Sequence, residues 1–539
     1  MTVTREFAHT RGAVAVATAS ILLITVAGSA VAAPGGQGKA GFKTSVAPMI
    51  KPGSAAPAGV VIDPIISVGD RLNSGFMFDA IPDGIAFTRS GRGRADLYVN
   101  HETSLVPFPV PPAVPVALTD FSNSHVDRLA INQHSGGVMS GSDVIPSEAN
   151  YQRFCSNFLA GPEQGFDRRI LFTNEEATDV VNREGQAWPA GAPYGSQPEQ
   201  AGVVVALDIK SGEYRSIYGM GRHNHENSVP VPGYDELVVL SGDDTFSAPA
   251  SQLYSYIAPD TDAVWNDEGT LYAFVSDDPA TNDYGDLTGS ESVSGEFIPV
   301  PRAVAVGDQT ALETWSNANN VFQFIRIEDL AYDRNDPHVV YFADTGEPRA
   351  IPDPTTGRLK RGPSGTMGSF PNGRIFRMVL DAENPREVDS LSILVDADPL
   401  GAGNPAALHQ PDNLETTANS LLIQEDPGSH NQFAVGGGPN ARVWRYDLRT
   451  GSMAPVLEVD QSLDEQVGYD VDTAGKARAG AWESSGIIDA SSIWGPGWFL
   501  LDVQAATLIV ESMNGNLGPT PVVFEREGGQ LLRVKIPGA

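Results

Sequence analysis

The chain has 539 residues, 41% hydrophobic and 8% aromatic, with a formal net charge of -32. This composition excludes a disordered chain, and the acidic surplus excludes the basic surface that a nucleic-acid binder needs. The 56 glycines and 40 prolines suit short strands joined by tight turns.

Arg5 and Arg11 give the start a positive charge, residues 13–26 are small and apolar, and Ala30-Val31-Ala32 is an A-x-A cleavage pattern. Residues 1–32 are therefore expected to be a signal peptide, and the protein to be secreted. With no adjacent arginine pair, the pattern favours a Sec-type route over twin-arginine export. No later apolar run is long enough to span a bilayer. Residues 33–60, rich in Gly, Ala, Pro and Lys, predict a flexible leader, and 61–539 a single β domain.

From there one theme recurs: a short apolar strand running into acidic or amide residues. "ADLYVNHE" ends at Glu102, "RRILFTNEE" at Glu175 and Glu176, and "DELVVLSGDD" at Asp243 and Asp244. "HVVYFADTG" carries Asp344, "NSLLIQEDP" ends at Glu425 and Asp426, and "GWFLLDVQ" carries Asp502. Other strand-like pieces lie between, several joined by Ser-Gly or Thr-Gly turns, and long amphipathic helical stretches are scarce. Six such units in an all-β chain predict a six-bladed β-propeller with loop insertions. If each unit is the inner strand of its blade, its terminal acids converge at one mouth of the channel. Carboxylates that close stay ionised together only with cations among them. The alternative is that Asp, Asn and Gly end strands because they favour turns.

The single cysteine, Cys155, excludes an internal disulfide. It is a buried thiol, paired with another chain, or a metal ligand. His101, His223 and His225 stand in acid-rich segments, as metal ligands or as satisfied structural histidines. There is no G-x-S-x-G elbow, no H-E-x-x-H helix, no Walker loop and no zinc-ribbon cysteine pair.

Several strings, in this order, resemble the PhoX alkaline phosphatase family of exported bacterial phosphatases. "RFCSNFLAG" at 153–161, followed by "FTNEE", resembles its cysteine segment and paired glutamates. "GRHNHENSVPVPGYDELVVLSGDD" at 221–244 resembles its His-Glu-Asn and Gly-Asp-Asp motifs, and "FIRIEDLAYD" at 324–333 its Arg-x-Glu-Asp motif. "PDNL" at 411–414, "QEDP" at 424–427 and "WESSGIIDAS" with "WFLLDVQA" complete a resemblance that covers most of residues 70–535. It implies a β-propeller whose channel holds calcium and ferric ions (Ca2+ and Fe3+) bridged by oxygen, and hydrolysis of phosphomonoesters. It also implies iron ligation by Cys155 and metal roles for Glu175 or Glu176, Glu226, Asp243 or Asp244, Glu328 and Asp412. Arg326 matches the family's phosphate-contacting arginine. Two features depart from the pattern: Ala506 stands where a His is common, and the spacing from Cys155 to Glu175 is longer than in the best-known members.

The chemistry is coherent with that resemblance. Phosphoryl transfer needs a nucleophilic oxygen, charge neutralisation and in-line positioning, which a metal cluster supplies. In an extended strand, residues two apart share a face, so Arg326 and Glu328 both face the channel, as site residues or as a simple salt bridge. The expected protein is a monomeric phosphomonoesterase acting on small phosphate esters. The alternatives are another calcium-dependent propeller hydrolase, phytase-like or lactonase-like, and a non-catalytic calcium-binding propeller.

Overall fold

The computed structural model describes residues 40–539 apart from 92, 107–108, 111–113, 116–117, 185–198, 246–250, 428–438, 465–469, 472–478 and 518–519. The expected signal peptide, 1–32, and residues 33–39 of the leader lie outside the described residues.

The fold is an all-β propeller of six blades. Blade 1 comprises Pro82–Gly91, Arg94–His101, His125–Asn132 and Val138–Ile145, and blade 2 Phe154–Ala160, Ile170–Glu175, Val204–Asp208 and Tyr214–Ile217. Blade 3 comprises His225–Val231, Leu237–Asp243, Leu253–Ala258 and Thr270–Ser276, and blade 4 Ile327–Tyr332, Val339–Asp344, Arg374–Leu380 and Glu387–Asp396. Blade 5 comprises Pro411–Thr416, Ser420–Glu425, Arg442–Asp447 and Met453–Val459, and blade 6 Glu483–Asp489, Trp498–Leu517 and Thr520–Lys535. Each first-named strand contacts the first-named strand of the next blade, and blade 6 returns to blade 1, so six inner strands line one channel. Blade 3 carries a fifth strand, Ser292–Pro299, that pairs with Glu387–Asp396 and fuses blades 3 and 4 into one sheet.

The ring closes through the early part of the chain. Val61–Ser67 is the outer strand of blade 6, antiparallel to Thr520–Lys535, and Ile50–Pro52 adds an edge strand to blade 5. The composition of 33–60 predicts a loose leader, but from residue 40 the chain is held in place. Phe42, Met49 and Ile50 are buried, and Met49 N–H donates to Gln530 Oε1 at 2.9 Å.

The six strand–acid units also sit differently from the expectation. They are the second strands of the blades, not the inner ones. The reason is burial: Leu237–Asp243 and Val339–Asp344 are buried on both faces between neighbouring strands and so read as continuous apolar runs. The inner strands, such as His225–Val231 ("HENSVPV") and Pro411–Thr416 ("PDNLET"), spend their channel face on polar residues and lose that signal. Apolar clusters fill the wedges between blades, for example Phe274, Phe322, Phe324, Phe342 and Phe376 between blades 3 and 4. No described helix is long and apolar enough to cross a membrane.

Candidate metal centre in the channel

Every inner strand is bulged near its start. Pairing runs from Pro82↔His101 to Ile85↔Val99, from Phe154↔Glu175 to Asn157↔Thr173, and from His225↔Asp243 to Ser228↔Ser241. It runs likewise from Ile327↔Asp344 to Leu330↔Phe342, from Pro411↔Glu425 to Leu414↔Ile423, and from Ser485↔Asp502 to Ile488↔Leu500. Each bulge inserts one extra residue and re-aims the side chains beside it. The first unpaired residue is Asp83, Cys155, Glu226, Glu328 and Asp412 in blades 1 to 5, and Gly486 in blade 6. The second includes Ser156, Asn227, Asp329 and Asn413. Asn413 reaches across from blade 5 to donate to Ser156 Oγ at 2.9 Å, and Ser485 Oγ lies 2.8 Å from Asp83 Oδ1 and 3.0 Å from Asn413 Oδ1, one of which takes its hydrogen, so polar side chains fill the channel at this level.

The second strands supply Glu102, Glu176 and Asp426, each one residue past the strand end, and Glu483 opens the inner strand of blade 6. Together they form an arc of donors in overlapping triples: Asp83, Glu102 and Cys155; Cys155, Glu176 and Glu226; Glu226, Glu328 and Asp412; Asp412, Asp426 and Glu483. Within each triple the donor atoms lie within 4.8 Å of one another. The arc is buried from Asp83 to Glu328 except at Glu102, and half-buried at Asp412, Asp426 and Glu483, where it opens towards solvent.

Electrostatics follow from that crowding. Burial, and then the neighbouring carboxylates, push Glu176, Glu226, Glu328, Asp412 and Glu483 well above the usual carboxylate range. Glu102 is pushed up to about 8 by burial and by Asp83. Asp83 rises to about 6 through burial, held back by hydrogen bonds from Cys155 and Ser485. Burial and the flanking Asp83 and Glu226 also raise the Cys155 thiol.

Two observations test whether these residues fit metal ions. The Cys155 sulfur lies 3.1 Å from Asp83 Oδ2 and 3.0 Å from Glu226 Oε1, yet a thiol has one hydrogen for two acceptors. Asp412 Oδ1 is buried with no hydrogen-bond partner. Cations among the acids satisfy both. The oxygen-rich side suits calcium, and the thiolate with Glu176 and Glu226 suits ferric iron.

The structure brings Cys155, Glu176, Glu226, Glu328 and Asp412 together in the arc. Asp244 is coupled to it through Arg326, whose Nε and Nη2 donate to Asp244 Oδ1 and Oδ2 at 2.6 and 2.5 Å, with Nη2 3.2 Å from Glu328 Oε1. Arg326 and Glu328 thus share the channel face. Glu175 and Asp243 lie apart from the arc. Alternation along a strand turns successive side chains to opposite faces, so one member of each acidic pair points back into its blade. Glu175 is saturated there: it accepts from Gln152 N, Gly202 N, Val203 N and both terminal nitrogens of Arg183. Asp344 and Glu425 do the same, Asp344 accepting from Ile325 N and Arg326 N, and Glu425 from His409 N, Arg442 and Trp444 Nε1. Asp243 accepts from Thr245 Oγ1 at 2.6 Å. In blade 6 the same position holds Asp502, fully buried, with neither carboxyl oxygen hydrogen-bonded.

Glu102 and Asp426, expected from sequence only as strand-end acids at the channel mouth, also join the arc, and so do Asp83 and Glu483, which sequence reading does not single out. Glu102 and Asp426 stand at strand ends like the others. Asp83 stands in "IPDG", which reads as a turn, and Glu483 follows no apolar strand.

No family model matches the sequence, and no curated protein matches it. Among solved structures, PhoX of Pseudomonas fluorescens in complex with vanadate, a transition-state analogue, is similar with a TM-score of 0.57 at 16% identity, over 92% of this chain and 98% of that one. A putative 6-phosphogluconolactonase of Bacteroides fragilis (TM-score 0.23, 8% identity, 68% of this chain and 96% of that one) and the NanB sialidase of Streptococcus pneumoniae (0.32, 9%, 88% and 70%) are more distant. The chain therefore has a PhoX-like propeller fold.

Proposed function

We propose that this protein is a secreted, metal-dependent phosphomonoesterase that uses the channel arc as its active site. The observation that carries the reading is the placement of Cys155 between Asp83 and Glu226 in a continuous arc of acids. It is supported by the likeness of fold to a PhoX solved with a transition-state analogue of phosphoryl transfer. Secretion rests on the pattern of residues 1–32, and the substrate class on the motifs around Cys155, Glu226 and Arg326.

In this reading Glu226, Glu328 and Asp412, with Asp426 and Glu483, hold calcium, and Cys155 with Glu176 and Glu226 holds iron. When bound, these ions supply Lewis acidity and positive charge towards a phosphoryl group. The chain's own part is positioning. Arg326 keeps a buried positive charge facing Asp244, Glu328 and Glu176, and a guanidinium grips phosphoryl oxygens by parallel hydrogen bonds. Asp244 fixes the plane of that guanidinium. The half-buried side at Asp412, Asp426 and Glu483 is where a small ester enters, and the enclosed side keeps water away and so strengthens each charge interaction.

One observation favours a second reading. The Arg326 fork lies on Asp244 in the geometry of a structural ion pair, which a lactonase-like hydrolase or a calcium-stapled binding propeller accommodates equally well. The deciding experiment is p-nitrophenyl phosphate hydrolysis at alkaline pH before and after chelation. Activity that chelation removes and calcium restores supports the phosphatase reading. No activity in folded, calcium-loaded protein overturns it. A visible charge-transfer band in the pure protein, absent from Cys155→Ser, would separate iron with calcium from calcium alone.

A further inference from the structure

Away from the channel, one group of side chains combines imidazole with carboxylate. His101, at the end of the second strand of blade 1, is the cross-strand partner of His125 on the third strand. Asp127, two residues further on, faces the same side. His101, His125 and Asp127 are all buried, and their donor atoms lie within 4.8 Å of one another.

The hydrogen bonds fix the orientation of both rings. His101 Nδ1 lies 3.0 Å from Ala80 O, and His125 Nδ1 3.2 Å from Asn123 O. A carbonyl oxygen only accepts, so each Nδ1 carries its hydrogen and Nε2 is the nitrogen left to face a cation. His101 Nε2 meets Asp127 Oδ2 at 3.0 Å, a contact completed either by a proton on His101 or by a cation between the two. Asp127 Oδ1 is buried with no hydrogen-bond partner. Asp143, opposite Asp127 on the fourth strand, brings another carboxyl group against it from the exposed side. Thus two imidazole rings and two carboxyl groups converge here. Histidines whose Nδ1–H is tied to a backbone carbonyl, with Nε2 offered beside a carboxylate, have the orientation of metal ligands.

We propose that His101, His125 and Asp127, with Asp143 as a fourth donor at the mouth, form a second metal site that takes zinc or a similar divalent transition cation. Its donor set differs in kind from the channel: imidazole nitrogen with carboxylate suits zinc, whereas the all-oxygen part of the arc suits calcium. The rings stack with centroids 4.4 Å apart and planes 7° from parallel, so binding one ion through both Nε2 atoms turns the His125 ring out of the stack about χ2 and releases its 3.2 Å contact to Asn123 O, while His101 keeps its own. The ion ties the second, third and fourth strands of blade 1 together directly behind Glu102, the next residue after His101. The site stands whether or not the channel hydrolyses phosphate esters.

The test is titration of the calcium-loaded full-length chain with cobalt(II) as a probe for zinc. One equivalent should bind with visible ligand-field bands, and one equivalent of zinc should bleach them. His125→Ala and Asp127→Asn should each abolish those bands and leave the bound calcium unchanged. Bands that survive both substitutions, or a wild-type chain that binds neither cobalt nor zinc at micromolar concentration, overturn the proposal. Should the variants fail to fold, zinc-edge X-ray absorption of the wild-type chain decides: a shell of imidazole nitrogen and oxygen supports the site, and a sulfur shell, which places zinc at Cys155, overturns it.

Discussion

Arg326 lays two nitrogens of its guanidinium on the two oxygens of Asp244, at 2.6 and 2.5 Å, from opposite sides of a blade boundary. If that arginine grips phosphate, Arg326→Ala should lower kcat/KM for p-nitrophenyl phosphate by on the order of 100-fold or more. Lysine should restore little of it, since an ammonium lacks the planar fork. Steady-state kinetics check this, with bound calcium measured in parallel; unchanged phosphate ester hydrolysis would sink the assigned role.

The two faces of an acidic pair should separate in mutants. Glu175→Gln leaves Arg183 with only the half-buried Glu199 as counter-charge, so it should cost about 1–3 kcal/mol in denaturant unfolding and leave calcium stoichiometry unchanged. Glu226→Gln should instead lower metal content and cost the metal-free protein little, because it removes one of several crowded carboxyl groups.

Chelated protein should be less stable at alkaline pH than at acid pH. Asp83 and Glu102 titrate at about 6 and about 8 in the fold, above their unfolded values of roughly 4. The folded chain therefore holds protons that the unfolded chain has released. That contribution is complete below pH ~4 and is lost as the pH rises through about 8. Thermal unfolding across this window with and without calcium measures it, and calcium should flatten or reverse the slope.

Asp502→Asn should stabilise the protein. Asp502 is fully buried beside Asp83, its carboxyl pushed well up by burial, and neither oxygen is hydrogen-bonded. Removing a group that resists ionisation should gain about 1–3 kcal/mol near pH 8. The gain should shrink to below about 0.5 kcal/mol near pH ~4, where the wild-type carboxyl is protonated in the fold and about half protonated in the unfolded chain. Denaturant unfolding of calcium-loaded protein at the two pH values tests both halves.

The sequence shows the outline of the site better than its detail. Second strands such as 237–243 are apolar on both faces and easily read, and the acids at their ends mark where the channel lies. The inner strands that carry Asp83, Glu226 and Asp412 resemble loops, because one face is polar and a bulge breaks the alternation. For the same reason Asp83 and Glu483 escape sequence reading. Which of Glu175 and Glu176 faces the channel is a matter of register, which strand pairing fixes and local sequence does not. The packing of residues 40–60 is likewise invisible locally, since the partners of Met49 and Ile50 lie near the far end of the chain.

That last contact sets the order in which the molecule is completed. Met49 and Gln530 are 481 positions apart, and blade 6 is built from both regions of the chain. Bringing such distant segments together carries a large entropic cost and is slow, so ring closure is a late event in folding. The donor arc draws on all six blades, from Asp83 to Glu483. A shortened or half-made chain therefore carries the acids without the cage, and tight metal uptake becomes a signal that the whole molecule has been assembled.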